Sequence, residues 1–349
     1  ERRRQPDLER ADSHPIMKLR GMMPLQEITL QDIFIAAKSI SSLAHKTPLV
    51  LSEALSERTG ANVYLKLENT QQTGSFKVRG AANRLLNLTE EQRANGVVTV
   101  STGNHGKATA YVAGKLGIRA VVCVPDLVLP HKVEAMKRLG AEVVVAGASQ
   151  DEAEAHAGEL AEKEGLTPIS PFDDPFIIAG QGTIGLELLE QMPQLDAVII
   201  PLSGGGLASG IALALKRANP ALRTIGVSME RGPVMVESLR AGHPVQLPEE
   251  RTLADSLMGG IGLENRYTFR LEQQYIDETL LVSEEEIAAA MVHALRVERL
   301  VVEGGGAVGL AAALSGKAAG PWQNVAVVVS GGNADMDVLQ RLAGDAAGG

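Results

Sequence analysis

The sequence predicts an α/β protein of two lobes, each an open, mostly parallel twisted sheet flanked by helices. Three observations carry the prediction. Short apolar runs alternate with stretches of helical spacing, the pattern of βαβ units, which build parallel sheets through right-handed crossovers. Three of those runs end in small polar turns, Ser101-Thr102-Gly103-Asn104-His105-Gly106, Ser203-Gly204-Gly205-Gly206-Leu207 and Ser330-Gly331-Gly332-Asn333, and strand ends are where open parallel sheets place their sites. The chain has 349 residues, above the ~250–300 at which a single core tends to divide.

Residues 1–23 are charged, carry two prolines and lack an apolar period, so a flexible tail is expected there, with Met17, Met22 and Met23 as candidate starts. Apolar residues at helical spacing predict a helix over 31–40. After Lys46-Thr47-Pro48 a strand is expected at 63–67, and it leads to Gly74-Ser75-Phe76-Lys77-Val78-Arg79-Gly80 at the head of an Ala-rich helix. A small mobile lobe is expected over 96–172: strand 96–100, helix from Gly106, strand Ala120–Val124, helix from Lys132, strand Glu142–Val145, helix from Asp151. The second half reads as helix 182–191, strand Ala197–Pro201, helix 207–217, strand 224–227, helix 283–298, a helix from Gly306 and strand 325–329. Residues 24–95 and 173–342 would form the large lobe, with a tail at 343–349. The Gly- and Pro-punctuated stretch 232–274 is expected to be irregular and to supply covering loops.

Composition excludes several classes of function. A formal charge of −9, a pI near 5.4 and 3% aromatic residues argue against a nucleic-acid partner, which calls for basic stripes and stacking rings. Cys123 is the single cysteine, set in the strand core Ala120–Val124, so no internal disulfide can form. No run approaches the ~20 apolar residues of a membrane helix, and no apolar leader opens the chain. A cytoplasmic protein with a small-molecule partner, and no membrane partner, is expected.

Lys77 is the most informative residue. A primary amine among small, flexible neighbours can form a Schiff base with a carbonyl. Three successive glycines at Gly204–Gly206 let backbone N–H groups converge on an anion at a helix start, although the same glycines would serve close packing. The segment lacks the Lys-Ser/Thr ending of a nucleotide-phosphate loop and does not match G-x-G-x-x-G. Ser101 to His105 open a helix that can hold a carboxylate through N–H groups, or can simply be capped. Ser330, at a strand end, can meet a heteroaromatic nitrogen or belong to a plain turn. A nucleophilic Lys, two anion cradles and a ring-nitrogen partner are together the parts that pyridoxal 5'-phosphate (PLP) chemistry needs.

The segments Gly74–Ala81, Thr102–Gly106, Ser170-Pro171-Phe172-Asp173-Asp174-Pro175, Ala179-Gly180-Gln181-Gly182-Thr183 and Ser330–Asn333, in order along 29–342, resemble the threonine/serine dehydratase and serine racemase branch of fold-type II PLP enzymes. The resemblance implies that Lys77 binds the cofactor and acts as base, and that Phe76 packs on the ring. Asn104 would contact its phenolic oxygen, Ser203, Gly204, Gly205, Gly206 and Leu207 its phosphate, Ser330 its nitrogen, with Glu303 beside the ring. Ser101, Thr102, Asn104 and His105 would hold the substrate carboxylate, Asp255 would stand at the entrance, and a homodimer is implied. The implied reaction is water elimination from a 3-hydroxy amino acid, giving a 2-oxo acid and ammonia. No regulatory domain of the biosynthetic threonine dehydratases, and no isoleucine feedback, is expected.

Four departures from the family pattern matter. Ser228-Met229-Glu230-Arg231-Gly232 replaces the Glu-Pro beside which relatives bind a divalent cation, so no metal site is expected. Thr102 stands where serine racemases place a Ser, and its methyl restricts the rotamer, which demotes racemisation. Ser256 follows Asp255 in place of Gly, and Gly304-Gly305-Gly306 follows Glu303. Together these resemble the hydroxyectoine-utilization dehydratases of bacteria.

Overall fold

A computed structural model describes residues 26–126 and 128–345. The expected tail at 1–23, the candidate starts within it and residues 346–349 lie outside the described residues. Thr29 and Asp32 form a reciprocal cap that starts α1 (Leu30–Ser39), since each satisfies a backbone donor that the first turn leaves free. Strand β1 (Leu49–Ser52) and β2 (Asn62–Leu67) pair antiparallel around α2 (Glu53–Thr59), which Gly60 ends in a left-handed conformation. Helix α3 (Lys77–Leu86) and the short α4 (Glu90–Asn95) follow.

A four-stranded parallel sheet of order β5-β4-β3-β6 comes next, built from β3 (Val97–Val100), β4 (Ala120–Val124), β5 (Glu142–Val145) and β6 (Thr167–Pro168). Its crossovers are α5 (Asn104–Leu116), α6 (Pro130–Arg138) and α7 (Gln150–Glu164). Every residue of β4 is buried, which explains a continuous apolar run without alternation. Cys123 lies in that strand, fully buried.

The second sheet has six strands in the order β1-β2-β10-β7-β8-β9. Helix α8 (Pro175–Gln191), β7 (Ala197–Pro201), α9 (Gly206–Ala218), β8 (Arg223–Met229), α10 (Val234–Ala241), α11 (Thr268–Tyr275), β9 (Glu278–Val282), α12 (Glu284–Arg296), α13 (Gly304–Leu314), β10 (Asn324–Val329) and α14 (Met336–Asp345) complete it. All of its pairings except β1 with β2 are parallel. Helix α13, GGGAVGLAAAL, is buried almost throughout, and its small residues let it lie against β10 and β7.

Several elements differ from expectation. Helix α8 starts at Pro175, well before 182, because Asp174 caps the N–H groups of Phe176 and Ile177 with Pro175 in the first turn, the position where a missing N–H costs nothing. The stretch expected to be irregular contains α10 and α11, and the tail expected from 343 begins inside α14.

A buried ion network ties α3 to its neighbours. Arg79 donates to Glu68 at 2.8 Å and to Glu187 of α8 at 2.6 Å, and Lys66 of β2 donates to Glu187 at 2.5 Å. Two cations and two anions balance, which is the condition for burying charge at acceptable cost. Arg79 lies two residues beyond Lys77, so this network sets the start of α3.

Candidate active site

The carboxyl ends of both sheets border one cleft of about 1220 Å³. Lys77, the first residue of α3, reaches into it, and its ammonium donates to the carbonyl of Pro171 at 2.8 Å. The residue opens partly to the cleft, while its amine is enclosed by protein atoms. That enclosure lowers its pKa to about 8, against the opposing pull of Glu303. The ammonium stands 5.3 Å from the centre of the Phe76 ring.

The Lys77 loop is held by the turn after β10. The Phe76 N–H donates to the Ser330 carbonyl at 3.1 Å, and the Gly332 N–H to the Gly74 carbonyl at 2.8 Å. Ser330 itself is buried beside this clamp. A Cβ at Gly331 would lie 2.2 Å from a carboxylate oxygen of Glu303, so a larger residue there would displace that carboxylate.

Helix α9 follows Gly205, whose φ of +86° is left-handed, and no side chain caps the first turn. Its leading N–H groups therefore face the cleft with no intrahelical acceptor. A Cβ at Gly204 would lie 2.4 Å from the Phe172 ring, so these glycines also serve close packing. Ser203 spends its hydroxyl on the Leu257 carbonyl at 2.8 Å, and Leu207 lines the cleft wall.

Helix α5 likewise starts without a side-chain cap, at Gly103. Ser101, Thr102 and Asn104 line the cleft around that start. His105 is buried with Nε2 3.3 Å from the Ile169 carbonyl. Burial first, and the Lys77 cation second, push its pKa down to about 3, so the imidazole is neutral and its ring is turned to the protein.

Asn104 Nδ2 donates to Glu303 Oε1 at 2.5 Å. Burial raises the Glu303 carboxyl to about 7 despite this bond. Asp255, in the short turn Asp255–Leu257, sits at the mouth of the cleft with Lys132 of α6 3.6 Å away. The departures noted after β8 are engaged elsewhere: Glu230 lies 3.6 Å from Lys317, and Arg231 donates to the Arg251 carbonyl at 2.7 Å. Among the described residues no group of three His, Cys, Asp or Glu is placed to hold a metal ion.

Three contributors escaped the sequence reading. The Pro171 carbonyl holds Lys77, Lys107 of α5 enters the cleft one turn beyond Asn104, and Glu272 of α11 lies fully buried beneath Gly205. Only Lys107 had a local signal, its spacing of three from Asn104 on a helix face.

A lowered amine facing an uncapped, glycine-opened helix start serves an enzyme that works on amines through a phosphorylated aldehyde. Residues 40–331 match the family described as pyridoxal-phosphate dependent enzyme, and the chain belongs to that family. A Sinorhizobium fredii protein named for threonine dehydratase is 50% identical over 321 residues, spanning 92% of this chain and 97% of its own length. The L-threonine ammonia-lyase of Thermotoga maritima is 43% identical over 315 residues, spanning 90% of this chain and 78% of its own. Among solved structures, maize serine racemase superposes with a TM-score of 0.85 at 34% identity, covering 92% of this chain and 98% of that one.

The cofactor is pyridoxal 5'-phosphate, and the residues present fit it. Lys77 supplies an amine whose pKa of about 8 leaves a sizeable neutral fraction for attack on an aldehyde. Gly205 and Gly206 leave a cradle that a Cβ would fill, since one at Gly205 would lie 2.8 Å from Met235 and one at Gly206 2.9 Å from Phe172.

Proposed function

We propose that this enzyme removes water from a 3-hydroxy amino acid and releases a 2-oxo acid and ammonia, with Lys77 as the base at Cα. The observation that carries the reading is the Lys77 amine, brought to about 8 by burial, close to the pH at which a general base works best. The names of the relatives support the same reaction class.

When bound, the cofactor supplies a carbonyl for the substrate amine and a sink for the electrons left at Cα. The uncapped start of α5, from Ser101 to His105, binds the substrate carboxylate through backbone N–H groups and the Ser101 and Thr102 hydroxyls. Asn104 offers an N–H to the phenolic oxygen, Phe76 packs on the ring, and Glu303 lies at its side. Ser203 to Leu207 hold the phosphate through backbone N–H groups. Ser330 meets the ring nitrogen with a neutral hydroxyl, which does not stabilise a protonated ring and so favours elimination over transamination. Lys77 takes the Cα proton and holds it as an ammonium.

Loss of the visible cofactor band in Lys77→Ala, together with loss of 2-oxo acid release, is the expected result; full turnover in that variant would sink the proposal. Bound PLP with no turnover on any 3-hydroxy amino acid would instead point to a carrier protein.

The substrate we place among 3-hydroxy amino acids with a cationic side chain, such as the 3-hydroxy-2,4-diaminobutyrate that hydroxyectoine breakdown would deliver. Asp151, Glu154 and Glu249 line the cleft, and burial and the other two carboxylates raise the Glu154 pKa, a crowding that a substrate cation would relieve. Ammonia release from threonine, serine, 3-hydroxyaspartate and the diamino compound ranks them. The likeness to maize serine racemase favours racemisation or β-replacement as the second reading, which inverted amino acid without 2-oxo acid would support. A cytoplasmic homodimer completes the proposal; Phe34 and Ile35, 57% and 53% exposed on α1, offer an apolar face, and size-exclusion chromatography with light scattering tests it.

A further inference from the structure

Asn104 carries a cofactor role in the reading above, and an amide side chain does so only when its nitrogen, not its oxygen, faces the cleft. Three contacts decide that orientation. Lys107 Nζ donates to Asn333 Oδ1 at 2.7 Å. Asn333 Nδ2 donates to the Thr73 carbonyl at 2.9 Å and to Asn104 Oδ1 at 2.6 Å. Asn104 Nδ2 is thereby left for Glu303 and the cleft.

An ammonium has three donors and no acceptor. Facing Lys107, Asn333 must present its oxygen, so its nitrogen must meet Asn104. Were Asn333 to turn over, two carbonyl oxygens would meet unless Asn104 turned as well, and that would set an amide oxygen against the Glu303 carboxyl. The Asn333 amide is tightly enclosed, because a Cβ at Gly74 would lie 2.6 Å from its oxygen. Packing therefore fixes where this amide sits, and Lys107 at its oxygen, together with the Thr73 carbonyl at its nitrogen, supplies the chemical difference between its two ends.

We propose that Lys107 is a positioning residue: with the Thr73 carbonyl it sets the polarity of Asn333, and through it of Asn104, so that an N–H donor is held toward the phenolic oxygen of the cofactor. The inference rests on the proposed role of Asn104. Loss of that donor destabilises the anionic oxygen.

The test uses holoenzyme and two readouts, the pH midpoint of the bound cofactor's visible band and kcat/KM for the best substrate of the panel. Lys107→Met should raise the midpoint by about one unit and lower kcat/KM about tenfold, the scale of one charge-assisted hydrogen bond. Lys107→Arg, which can only donate, should restore both. In an Asn333→Ala background Lys107→Met should add nothing, because the relay is already cut. Unchanged readouts in Lys107→Met would overturn the proposal, as would the same shift in the Asn333→Ala background, which marks a charge acting through space. If Lys107→Met does not fold, Lys107→Leu carries the same comparison. Failure of the elimination reading is distinct, since it would appear as wild-type protein that binds PLP without releasing 2-oxo acid.

Discussion

Apoenzyme should capture the cofactor's aldehyde at a rate that climbs about tenfold per pH unit and levels off near pH 8. Only the neutral amine attacks a carbonyl. An unperturbed lysine, with a pKa of about 10.4, is neutral in roughly 0.04% of molecules at pH 7. Burial brings Lys77 to about 8, which raises that fraction to about 10%, a gain of roughly 200-fold. Glu303 opposes the shift, because its carboxylate favours the ammonium. Glu303→Gln should therefore move the midpoint below 8, in the direction opposite to a simple loss of structure. The assay is stopped-flow growth of the visible band on mixing apoenzyme with PLP from pH 6 to 10. A midpoint near 10 in the wild type, or a rise in Glu303→Gln, would refute the reasoning.

Three further outcomes are expected. Glu272 is fully buried, and desolvation raises its carboxyl to about 8 from 4.5. Its contribution to stability is full below pH 4.5 and is lost as pH rises through about 8, by roughly 1.4 kcal/mol per unit; Glu272→Gln should flatten the fall of Tm across that window, and an unchanged slope would count against it. Gly205→Ala must place a side chain at φ +86° and 2.8 Å from Met235, a strain of about 1–3 kcal/mol, so PLP affinity measured by equilibrium dialysis should drop at least fivefold. Arg79→Met leaves the buried Glu68 without its partner cation and Glu187 with Lys66 alone, and urea unfolding should show a loss of about 3–5 kcal/mol.

Strands β4, β5 and β7 were legible to the residue because Val- and Ile-rich runs end at turn residues, leaving one period and one length to choose. Helix α8 was harder, expected only from 182 although it starts at Pro175; its glycines let it lie against α3 and α9, as a Cβ at Gly182 would lie 2.9 Å from the Gly210 carbonyl. Strand β6 has two residues, one of them Pro168, and carries no readable period. Within the cleft the same division holds. Lys77, the turn after β3 and the glycines after β7 are local motifs whose chemistry shows in consecutive residues. The pairing of Lys107 with Asn333 spans 226 positions and that of Ser209 with Glu272 spans 63, and only the folded chain brings such partners together.

Burial, which only the folded chain creates, bears on which group can act as the proposed base. The cleft encloses an amine, a carboxyl and an imidazole, and burial drives each toward its neutral form. For His105 the drop to about 3 removes the imidazole from proton transfer at neutral pH. Glu303, at about 7, is committed to Asn104 by a 2.5 Å bond. Lys77, at about 8, has the affinity that the base proposed above would need. Racemisation requires a second carrier across from Lys77, and the resemblance places Thr102 there, whose methyl restricts the hydroxyl's rotamer. On the proposed roles, a single competent base and a neutral Ser330 at the ring nitrogen would favour loss of the β-hydroxyl over return of a proton on the opposite face.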